Sequence, residues 1–548
     1  MKISRLLVST FTLTMAAAMI PGITASAATK IKIDAKHFPD KGFRQRVSDT
    51  FDWDQDGYIS SEERTKLDYL YIYESNKVSD ISGIEYLTWV KTLYIESDYL
   101  KNPDFSKAKS VKNLAVRGKI NSIDFSKNPN LEDIWIDGTK IKELDFSKNN
   151  NLKTLLISGV SDTSCVKSVV LPSGSKLESV NIQSGELESL DVSKVKGLKS
   201  LTVGCSLDKF NSLNLGPHKM LKELEVFGGI ESLDVSTCPK LEKLVVRTLM
   251  KSIDVSKNKA LKYLDVSGVD TEELDISCNP KLEVFDFNLF TTKELKVACG
   301  QKFKSPFYGG PKPSYSSSDS KIFTAKTVSK KDEYGVHYAF DFVAKMTGTA
   351  VFKRTWEDTK NIEKTTVKVL YKDVTNKNEF WYEPTYALSD VGIVKGYANQ
   401  TEFRPANDCT RAQMVTFLWR LAGEPAPKAK TTDFKDVKKG SYYYKAVIWA
   451  VEQGITTGIN KTKFAPDGVC TRAQTVTFLW RMAGKPDPKA KKCKFSDVKE
   501  SDYFYKATIW ASEKKIVAGY SDGTFQPSGK CLRRQMVTFL YKYDKYVN

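Results

Sequence analysis

Apolar residues recur at short, fixed offsets between residues 78 and 300. Each copy of the pattern approximates L-x-x-L-D-V-S-K-N-x-x-L-K-x-L-x-V, as in the stretch beginning Leu261-Lys-Tyr-Leu-Asp-Val-Ser. The copies follow at steps of 20 to 25 residues, and their clearest turns start at Asp124, Asp145, Asp191, Asp234, Asp254 and Asp275. A unit this short buries its apolar side only against its neighbours, so the pattern predicts a stacked solenoid. We expect the Asn of this pattern to bond backbone groups of adjacent coils.

A longer block is written three times in the C-terminal third. Its copies are marked by Cys409, Cys470 and Cys531, which are 61 residues apart, and each unit reads as helix, turn-rich loop, helix. The second helix of the first unit is predicted by an apolar stripe at three- and four-residue spacing, which consists of Met414, Phe417, Leu418 and Leu421. A repeat of this regularity indicates a structural unit.

The start of that second helix combines a Thr/Gln pair, which predicts a capping box, with an Arg in the first turn. The pairs are Thr410–Gln413 and Thr471–Gln474, and the arginines are Arg411, Arg472 and Arg533. Free backbone N–H groups and the helix dipole favour an anion at such a position, and an Arg fork suits a carboxylate or phosphate. The alternative, that each Arg merely pairs with a neighbouring acid, stays open.

Residues 28–77 form a predicted N-terminal cap that contains an acidic loop. Its residues fit the ligand positions of an EF-hand calcium loop, with the carbonyl of Tyr58 among them: Asp52, Asp54, Asp56, Tyr58, Ser60 and Glu63. The sequence therefore predicts that Ca²⁺ binds there and fixes the cap. No second loop of this kind is found, and an acidic turn that binds nothing is the alternative.

Three further segments are assigned by composition and alternation. Residues 1–27 carry a basic start, an apolar stretch and Ala-Ser-Ala at 25–27, which together predict a secretory signal peptide. Residues 301–321 are rich in Pro, Gly and Ser and predict a linker. Residues 322–370 alternate with period two and predict a small β domain, loosely similar to bacterial immunoglobulin-like (Ig-like) modules.

The formal net charge of +18 favours an anionic partner, which could be nucleic acid, a membrane surface or an acidic polymer. Because an export signal is present, we expect an acidic wall polymer and no nucleic acid. After the signal, no apolar run reaches membrane-spanning length, so we expect no membrane span. The nine cysteines do not suggest a disulfide framework, and we expect buried free thiols.

The C-terminal block resembles the S-layer homology (SLH) domain, whose hallmark is Thr-Arg-Ala-Glu opening a helix after an F-x-P loop. The resemblance covers residues 371–548 and divides them into 371–425, 432–486 and 493–548. In that family three repeats form an α-rich, pseudo-threefold module that binds an anionic, often pyruvylated, secondary cell-wall polymer. The solenoid resembles the leucine-rich repeats of internalin-type bacterial surface proteins.

The SLH resemblance implies which residues contact the wall polymer. They are Arg411, Arg472, Arg533, Thr410, Gln413, Thr471, Gln474, Trp449 and Trp510. The sequence departs from the family pattern in two ways. Gln stands where the family usually has Glu, and Leu532 replaces the capping Thr of the third repeat. We therefore expect Arg533 to contribute less to binding than Arg411 and Arg472.

The predicted fold is multidomain: a leucine-rich-repeat solenoid with an EF-hand-like N-terminal cap, a small Ig-like β domain and an SLH module. The histidines, His37, His218 and His337, fall in separate segments without ligand-spaced neighbours, so we expect no enzyme. The predicted function is a secreted protein, attached to the cell wall or S-layer, whose solenoid binds a protein or glycan ligand. Alternatives are a structural S-layer-type component and a non-catalytic glycan-binding partner of a surface enzyme complex.

Overall fold

The computed structural model describes residues 30–159, 165–174, 176–204, 209–356 and 361–547. The chain divides into two compact units, residues 1–152 and 153–548. The predicted signal peptide at 1–27 lies outside the described residues. Within the described residues, every helix is too short or too polar to cross a membrane.

The first unit contains the helix α1 (Lys41–Phe51), short 3-10 turns, an antiparallel pair of short strands, β1 (Ile31–Lys32) with β2 (Tyr58–Ile59), and the strands of the first coils. The 3-10 turns are Glu63–Thr65, Glu74–Asn76 and Ile84–Tyr86, and the strands of the coils are β3 (Tyr69–Ile72), β4 (Thr92–Glu96), β5 (Asn113–Arg117), β6 (Asp133–Asp137) and β7 (Glu143–Asp145). Strands β3 to β6 pair in parallel, and the buried residues Leu70, Leu93, Leu114 and Ile134 lie opposite one another in successive strands. The coils bury their apolar residues by stacking, as the repeat predicts.

The second unit begins with further coils of the same kind. Their strands are β8 (Thr154–Ser158), β9 (Ser168–Val170), β10 (Ser179–Gln183), β11 (Ser189–Asp191), β12 (Ser200–Gly204), β13 (Ser212–Asn214), β14 (Glu223–Gly228), β15 (Lys243–Thr248), β16 (Tyr263–Val266), β17 (Glu273–Asp275), β18 (Val284–Phe287) and β19 (Glu294–Ala298). The main sheet runs in parallel order β8-β10-β12-β14-β15-β16-β18, while β11 pairs with β13 and β17 with β19. The predicted stacked solenoid is confirmed as a β-solenoid.

The Asn of the repeat links successive coils. The buried Asn258 side chain donates to the carbonyls of Val235 and Cys238, at 2.8 and 2.9 Å, and Asn279 donates to Val255 and Asn258, at 2.9 and 3.0 Å. These bonds satisfy carbonyls that the turn leaves without backbone partners. The predicted role of this Asn is confirmed.

The positions held by Asn258 and Asn279 form a ladder along the solenoid, and His218 occupies the equivalent position in the middle of this array. It is fully buried, and neither ring nitrogen has a hydrogen-bond partner. Burial lowers the pKa of His218, and the nearby carbonyls of Val192 and Leu215 only partly oppose the shift. The equivalent positions of the coils on either side carry Val195 and Cys238, so the Asn bonds are missing from this part of the array, and His218 adds a side chain that is unfavourable to protonate.

A β domain closes the C-terminal end of the solenoid. Its strands are β20 (Lys302–Lys304), β21 (Tyr308–Gly309), β22 (Pro313–Ser317), β23 (Phe323–Asp332), β24 (Gly335–Ala344), β25 (Gly348–Trp356) and β26 (Ile362–Leu370). Strand β24 pairs with β20, which pairs with β18, and β26 pairs in parallel with β19. Both sheets of the solenoid thus continue into this domain, which covers strand edges that would otherwise be open.

This arrangement corrects the expectation for residues 301–321. They are not a linker, because β20, β21 and β22 lie there and pair with β24 and β25. The Pro- and Ser-rich composition is compatible with the edge strand β22, which pairs on one side with β25 and starts at Pro313. The Ig-like assignment of 322–370 is not confirmed, since these strands extend the sheets of the solenoid.

The C-terminal residues form three helix pairs. The helices are α2 (Tyr382–Asp390), α3 (Arg411–Leu421), α4 (Tyr444–Glu452), α5 (Arg472–Met482), α6 (Tyr505–Glu513) and α7 (Arg533–Val547). The first helix of each repeat packs against the second helix of the preceding repeat: α4 on α3, α6 on α5, and α2 on α7. The last pairing closes the three repeats into a ring around one shared core.

We predict that His218→Asn stabilises the solenoid by about 1–2 kcal/mol, because an Asn there can form the two backbone bonds made by Asn258. The wild-type coil should also lose stability as the pH falls below about 6.5. The unfolded state then binds a proton that the folded state, with its lowered His218 pKa, does not. Hydrogen–deuterium exchange of peptides from this coil, variant against wild type at each pH, measures both effects.

The matched control is Asn258→Ala, which removes the same bonds from an intact ladder position and should speed exchange. If His218→Asn leaves exchange unchanged at pH 5 and pH 7.5 while Asn258→Ala speeds it, the interpretation of His218 as a break in the ladder is wrong.

Candidate functional site

The three repeats of the C-terminal module meet in a cyclic set of backbone hydrogen bonds. The N–H of Cys409 donates to the carbonyl of Cys531, that of Cys470 to Cys409, and that of Cys531 to Cys470, each at 2.9 Å. All three thiols are free and fully buried, as predicted, and burial raises the pKa of Cys470 to about 11 and that of Cys531 to about 12. Each repeat depends on both others to complete this ring.

Each motif arginine reaches from its own repeat into the next one. The Nε of Arg411 donates to the carbonyl of Phe464 at 2.9 Å, and the guanidinium also lies over the Phe464 ring, 4.9 Å from its centroid. Arg472 bonds the carbonyl of Phe525 and Arg533 that of Phe403, both at 2.8 Å. The three side chains are therefore integral to the contacts between repeats, and their residues are only 2–5% exposed.

The structure corrects the expectation that free first-turn amides face an anion. The N–H of Arg411 donates to Gly468, that of Arg472 to Gly529 and that of Arg533 to Asn407, each at 2.9 Å. The next amide in each helix donates to a proline carbonyl of the neighbouring repeat, and the third donates within its own cap. Because the first-turn amides are already bonded, the arginine guanidinium is the group at the helix start that could contact a ligand.

The two predicted capping boxes are confirmed. Gln413 donates its N–H to the Thr410 hydroxyl at 3.2 Å, and its side-chain oxygen accepts from the Thr410 N–H; Thr471 and Gln474 do the same. Gln413 also donates to the Tyr397 hydroxyl. These residues shape the helix start, and their neutral amides add no negative charge beside the arginines.

The environment of Arg411 differs from that of Arg533. Arg411 has a buried Nη2 atom without a hydrogen-bond partner, and burial lowers its pKa. Arg533 donates to Phe403, to the carbonyl of Lys395 at 3.0 Å and to the side-chain oxygen of Gln413 at 3.5 Å. Among the described residues, neither arginine forms an ion pair with a carboxylate, so the alternative reading of Arg411 as an ion-paired residue is not supported.

Leu532 does not leave the start of the third helix open. The amide of Leu532 donates to the Gln535 side chain at 3.1 Å, and the amides of Arg533 and Arg534 are both bonded. Loss of the capping hydroxyl is therefore compensated. The guanidinium of Arg533 is still the least available of the three to a ligand. The reason is that its N–H donors are already occupied, and not that the helix start is poorly capped.

Trp449 and Trp510 do not lie where a polymer could reach them. They are 6% and 2% exposed, because their helix positions face the shared core. Exposed aromatic side chains stand instead just before the first helix of each repeat: Phe380, Tyr442 and Tyr503, which are 59%, 58% and 64% exposed. Their equivalent positions in the repeat are the signal that sequence reasoning missed.

Tyr503 lies near Arg411. Burial raises the pKa of Tyr503, and the positive charges of Arg481 and Arg411 oppose the shift. The Tyr503 side chain, which is largely exposed, therefore lies within electrostatic range of a buried guanidinium from another repeat. Such a pair offers a ligand an aromatic face and a positive charge together.

Sequence reasoning also missed the aspartates that hold the F-x-P loops. Asp436 accepts from the N–H of Phe464 at 2.9 Å and from that of Ala465 at 2.7 Å. Asp373 and Asp497 make the equivalent bonds in the other repeats. The middle loop residue has a left-handed backbone in each repeat, with φ of 59°, 59° and 55° at Arg404, Ala465 and Gln526.

The predicted metal loop brings together Asp52, Asp54 and Glu63, whose ligand atoms all lie within 4.8 Å of one another. The Oδ1 atom of Asp52 is buried without a hydrogen-bond partner, which fits a cation site. Asp56 lies outside this group and pairs with Lys30.

Glu63 is almost fully buried and accepts hydrogen bonds on both carboxylate oxygens. Burial would raise the pKa of Glu63, but bonds from Ser60 and Trp53 outweigh it and keep the pKa below its usual range. This residue is therefore ready to act as an anion.

The EF-hand-like cap is not confirmed as such. The entering helix α1 is present, but a 3-10 turn at Glu63–Thr65 replaces the exit helix. Strand β2, which contains Tyr58, pairs with β1, so β1 occupies the place that the second loop of a pair would take.

Comparisons with known proteins identify the C-terminal module. The S-layer homology domain model matches residues 370–415, 433–476 and 494–537. A cell surface protein of Thermoanaerobacter kivui is 32% identical over 24% of this chain and 18% of its own length. A cellulosome-anchoring protein of Acetivibrio thermocellus is 29% identical over 27% of this chain and 34% of its own length. The chain thus spans about a third or less of these relatives.

Among solved structures, the functional domain of InlJ from Listeria monocytogenes is similar to this chain with a TM-score of 0.29 and 17% identity. The alignment covers 63% of this chain and all of that domain.

We predict opposite effects for two substitutions at one F-x-P loop. Asp436→Ala should destabilise the module by about 2–3 kcal/mol, because two hydrogen bonds to a charged group are lost. Ala465→Gly should stabilise it by about 0.5–1 kcal/mol. Gly removes the steric strain of an Ala in the left-handed region, and this gain exceeds the extra conformational entropy that Gly loses on folding. Hydrogen–deuterium exchange of α3 and α5 in the chain from residue 28 measures both. Equal signs for the two variants would contradict the interpretation.

Proposed function

Because three S-layer homology domains lie at residues 370–537, we propose that this protein is secreted. Its C-terminal module then attaches it non-covalently to an anionic secondary cell-wall polymer. The solenoid then displays a surface for a protein or glycan ligand. The observation that carries the wall-binding proposal is the buried guanidinium of Arg411, whose Nη2 has no hydrogen-bond partner and which lies within electrostatic range of the exposed Tyr503.

An anionic ligand suits this environment for an electrostatic reason. A buried charge without a counter-ion is costly, and a carboxylate brought by a ligand would offset that cost. The Arg fork matches a carboxylate in two hydrogen bonds. Because Gln413 and Gln474 are neutral, they do not satisfy the guanidinium charge in advance. A pyruvylated sugar would offer both the carboxylate and a ring to lie against Tyr503.

We propose a non-catalytic role. Two histidines form local surface pairs, His37 with Asp34 at 2.7 Å and His337 with Asp332 at 3.1 Å. The third, His218, is sealed inside the solenoid. These positions suit structural side chains, and the solenoid and the module act by binding.

We predict that Arg411→Ala and Arg472→Ala each weaken the binding of the chain from residue 28 to isolated Gram-positive cell walls by about 1.5–3 kcal/mol, because a charged hydrogen bond to the polymer is lost. Tyr503→Ala should weaken it as well, and this exposed side chain is removable without disturbing the core. Arg533→Ala should weaken binding less. Co-sedimentation with walls over a protein titration gives the affinities.

Lys428→Ala and Lys489→Ala are the controls, since both remove a positive charge from the joints between repeats. Circular dichroism and hydrogen exchange establish that each variant is folded. If the lysine variants lose as much affinity as the folded arginine and Tyr503 variants, attachment is diffuse charge attraction and the proposed site is wrong.

We also propose that the cap binds one Ca²⁺ through Asp52, Asp54 and Glu63, with Ser60 and the carbonyl of Tyr58 nearby in the loop. The unpartnered Oδ1 of Asp52 supports this proposal, as do the three clustered ligand atoms. A hard cation prefers such oxygen ligands. Asp56 is the remaining member of the six residues that the sequence predicts as ligands, and its pairing with Lys30 makes it the least suited of the set.

We predict that millimolar Ca²⁺ slows hydrogen exchange across residues 41–76, because an ion that binds the folded cap stabilises it by mass action. Asp54→Asn should abolish the effect; this exposed residue holds only one local bond, from the Asp56 N–H at 3.2 Å. Asp104→Asn, in a turn of the solenoid, is the matched control. Calcium-independent exchange in the wild type, with no calorimetric heat, would show that the loop is only a turn.

A further inference from the structure

A cleft of about 610 Å³ lies where the end of the solenoid meets the β domain. Its residues come from both, and the polar ones among them include Arg247, Asp286, Asn288, Tyr308 and Arg354. This volume falls within the range of about 300–1,000 Å³ that is typical of small-molecule sites. Nothing in the attachment of the chain to the wall uses this cleft.

The cleft has buried polar groups that are held in place. Arg247 donates to Asp265 at 2.8 Å, and that carboxylate is almost fully buried. Arg354 pairs with the buried Glu363 on the neighbouring strand. Each guanidinium is thus neutralised by its own carboxylate while keeping further N–H donors. The cleft therefore offers fixed donors without a large net charge.

Asp286 is the exception, because its hydrogen-bond partner is a phenol and not a cation. The Tyr308 hydroxyl donates to it. Burial raises the pKa of Asp286 to about 6, although the Tyr308 bond opposes the shift. A desolvated carboxylate with spare acceptor capacity is costly unless a ligand supplies donors.

Aromatic side chains form the floor and the lip of the cleft. Tyr315 and Phe340 are buried at the floor, with ring centroids 5.5 Å apart. Phe290 stands at the lip and is 79% exposed, more than any other large apolar side chain among the described residues. An exposed aromatic ring beside a polar cleft offers an apolar face to a ligand that occupies the cleft.

We propose that this cleft binds a short neutral oligosaccharide, with Asp286 and Arg247 bonding its hydroxyls and Phe290 lying against a sugar ring. This proposal rests on the proposed function of the solenoid as a binding surface and names the ligand class. Sugar hydroxyls are both donors and acceptors, so they match a carboxylate and guanidinium groups at once. The C–H bonds on a sugar face are attracted to the negative face of an aromatic ring.

Charge balance favours a neutral glycan over a charged peptide. A strongly acidic ligand would meet Asp286, and a strongly basic one would meet Arg247 and Arg354. A ligand rich in hydroxyls avoids both conflicts. The aromatic floor and lip fit a flat ring better than an extended chain of charged side chains.

The test uses the chain from residue 28 and an array of neutral oligosaccharides, with maltotetraose, cellotetraose and N-acetylchitotetraose also measured by calorimetry. Asp286→Asn, Tyr308→Phe and Phe290→Ala should each weaken binding at least tenfold. The first two preserve the shape of the side chain, and Phe290 is largely exposed, so these variants should fold. Tetralysine and tetraglutamate serve as charged comparison ligands.

Two control variants lie outside the cleft and make comparable changes of side chain. They are Glu225→Gln on the outward side of β14 and Tyr334→Ala at the tip of the β23–β24 hairpin. Both should bind sugar as the wild type does. The proposal is overturned if no neutral oligosaccharide binds, if binding survives all three cleft variants, or if the charged peptides bind there instead. Wall co-sedimentation of the same proteins separates the outcomes, because attachment through the SLH domains should persist in every cleft variant.

Discussion

The main constraint on this chain is that neither of its repeats can satisfy its own backbone and apolar surface. A solenoid coil leaves turn carbonyls without partners, and the next coil supplies an Asn, as Asn258 does for Val235 and Cys238. A helical repeat leaves first-turn amides open, and the next repeat supplies carbonyls. Stability in both arrays therefore comes from contacts between neighbours, and each array needs a way to end.

The two arrays end in different ways. The solenoid is open, so its last coil passes its two sheets to the β domain, whose β24 and β26 continue them. The helical module has no end, because α2 packs on α7 and the three cysteine amides close a ring. Because the solenoid is open, its end meets the β domain, and a cleft lined by residues of both lies at this junction. Because the helical module is closed, the contacts between its three repeats are equivalent, and the motif arginines lie at these contacts.

Sequence periodicity predicted what depends on local spacing, and missed what depends on packing partners. The stacked coils, the Asn ladder and the capping boxes at Thr410 and Thr471 follow from residues close in sequence. The direction of Arg411 does not, because its acceptor lies 53 residues away in the next repeat. The burial of Trp510 and the strands within 301–321 were hidden for the same reason: a shared core and a neighbouring sheet decide them.

The same dependence on neighbours bears on how the module could recognise an anion. An arginine that holds two repeats together cannot swing out to search for a ligand, so its guanidinium is fixed before binding. Fixing it in advance lowers the entropy cost of association, and burial without a carboxylate keeps its charge available. Where more donors are already occupied, as at Arg533, the same architecture leaves fewer of them for a ligand. The number of acceptors that surround each arginine, and not the motif alone, therefore determines how many of its donors remain for a ligand.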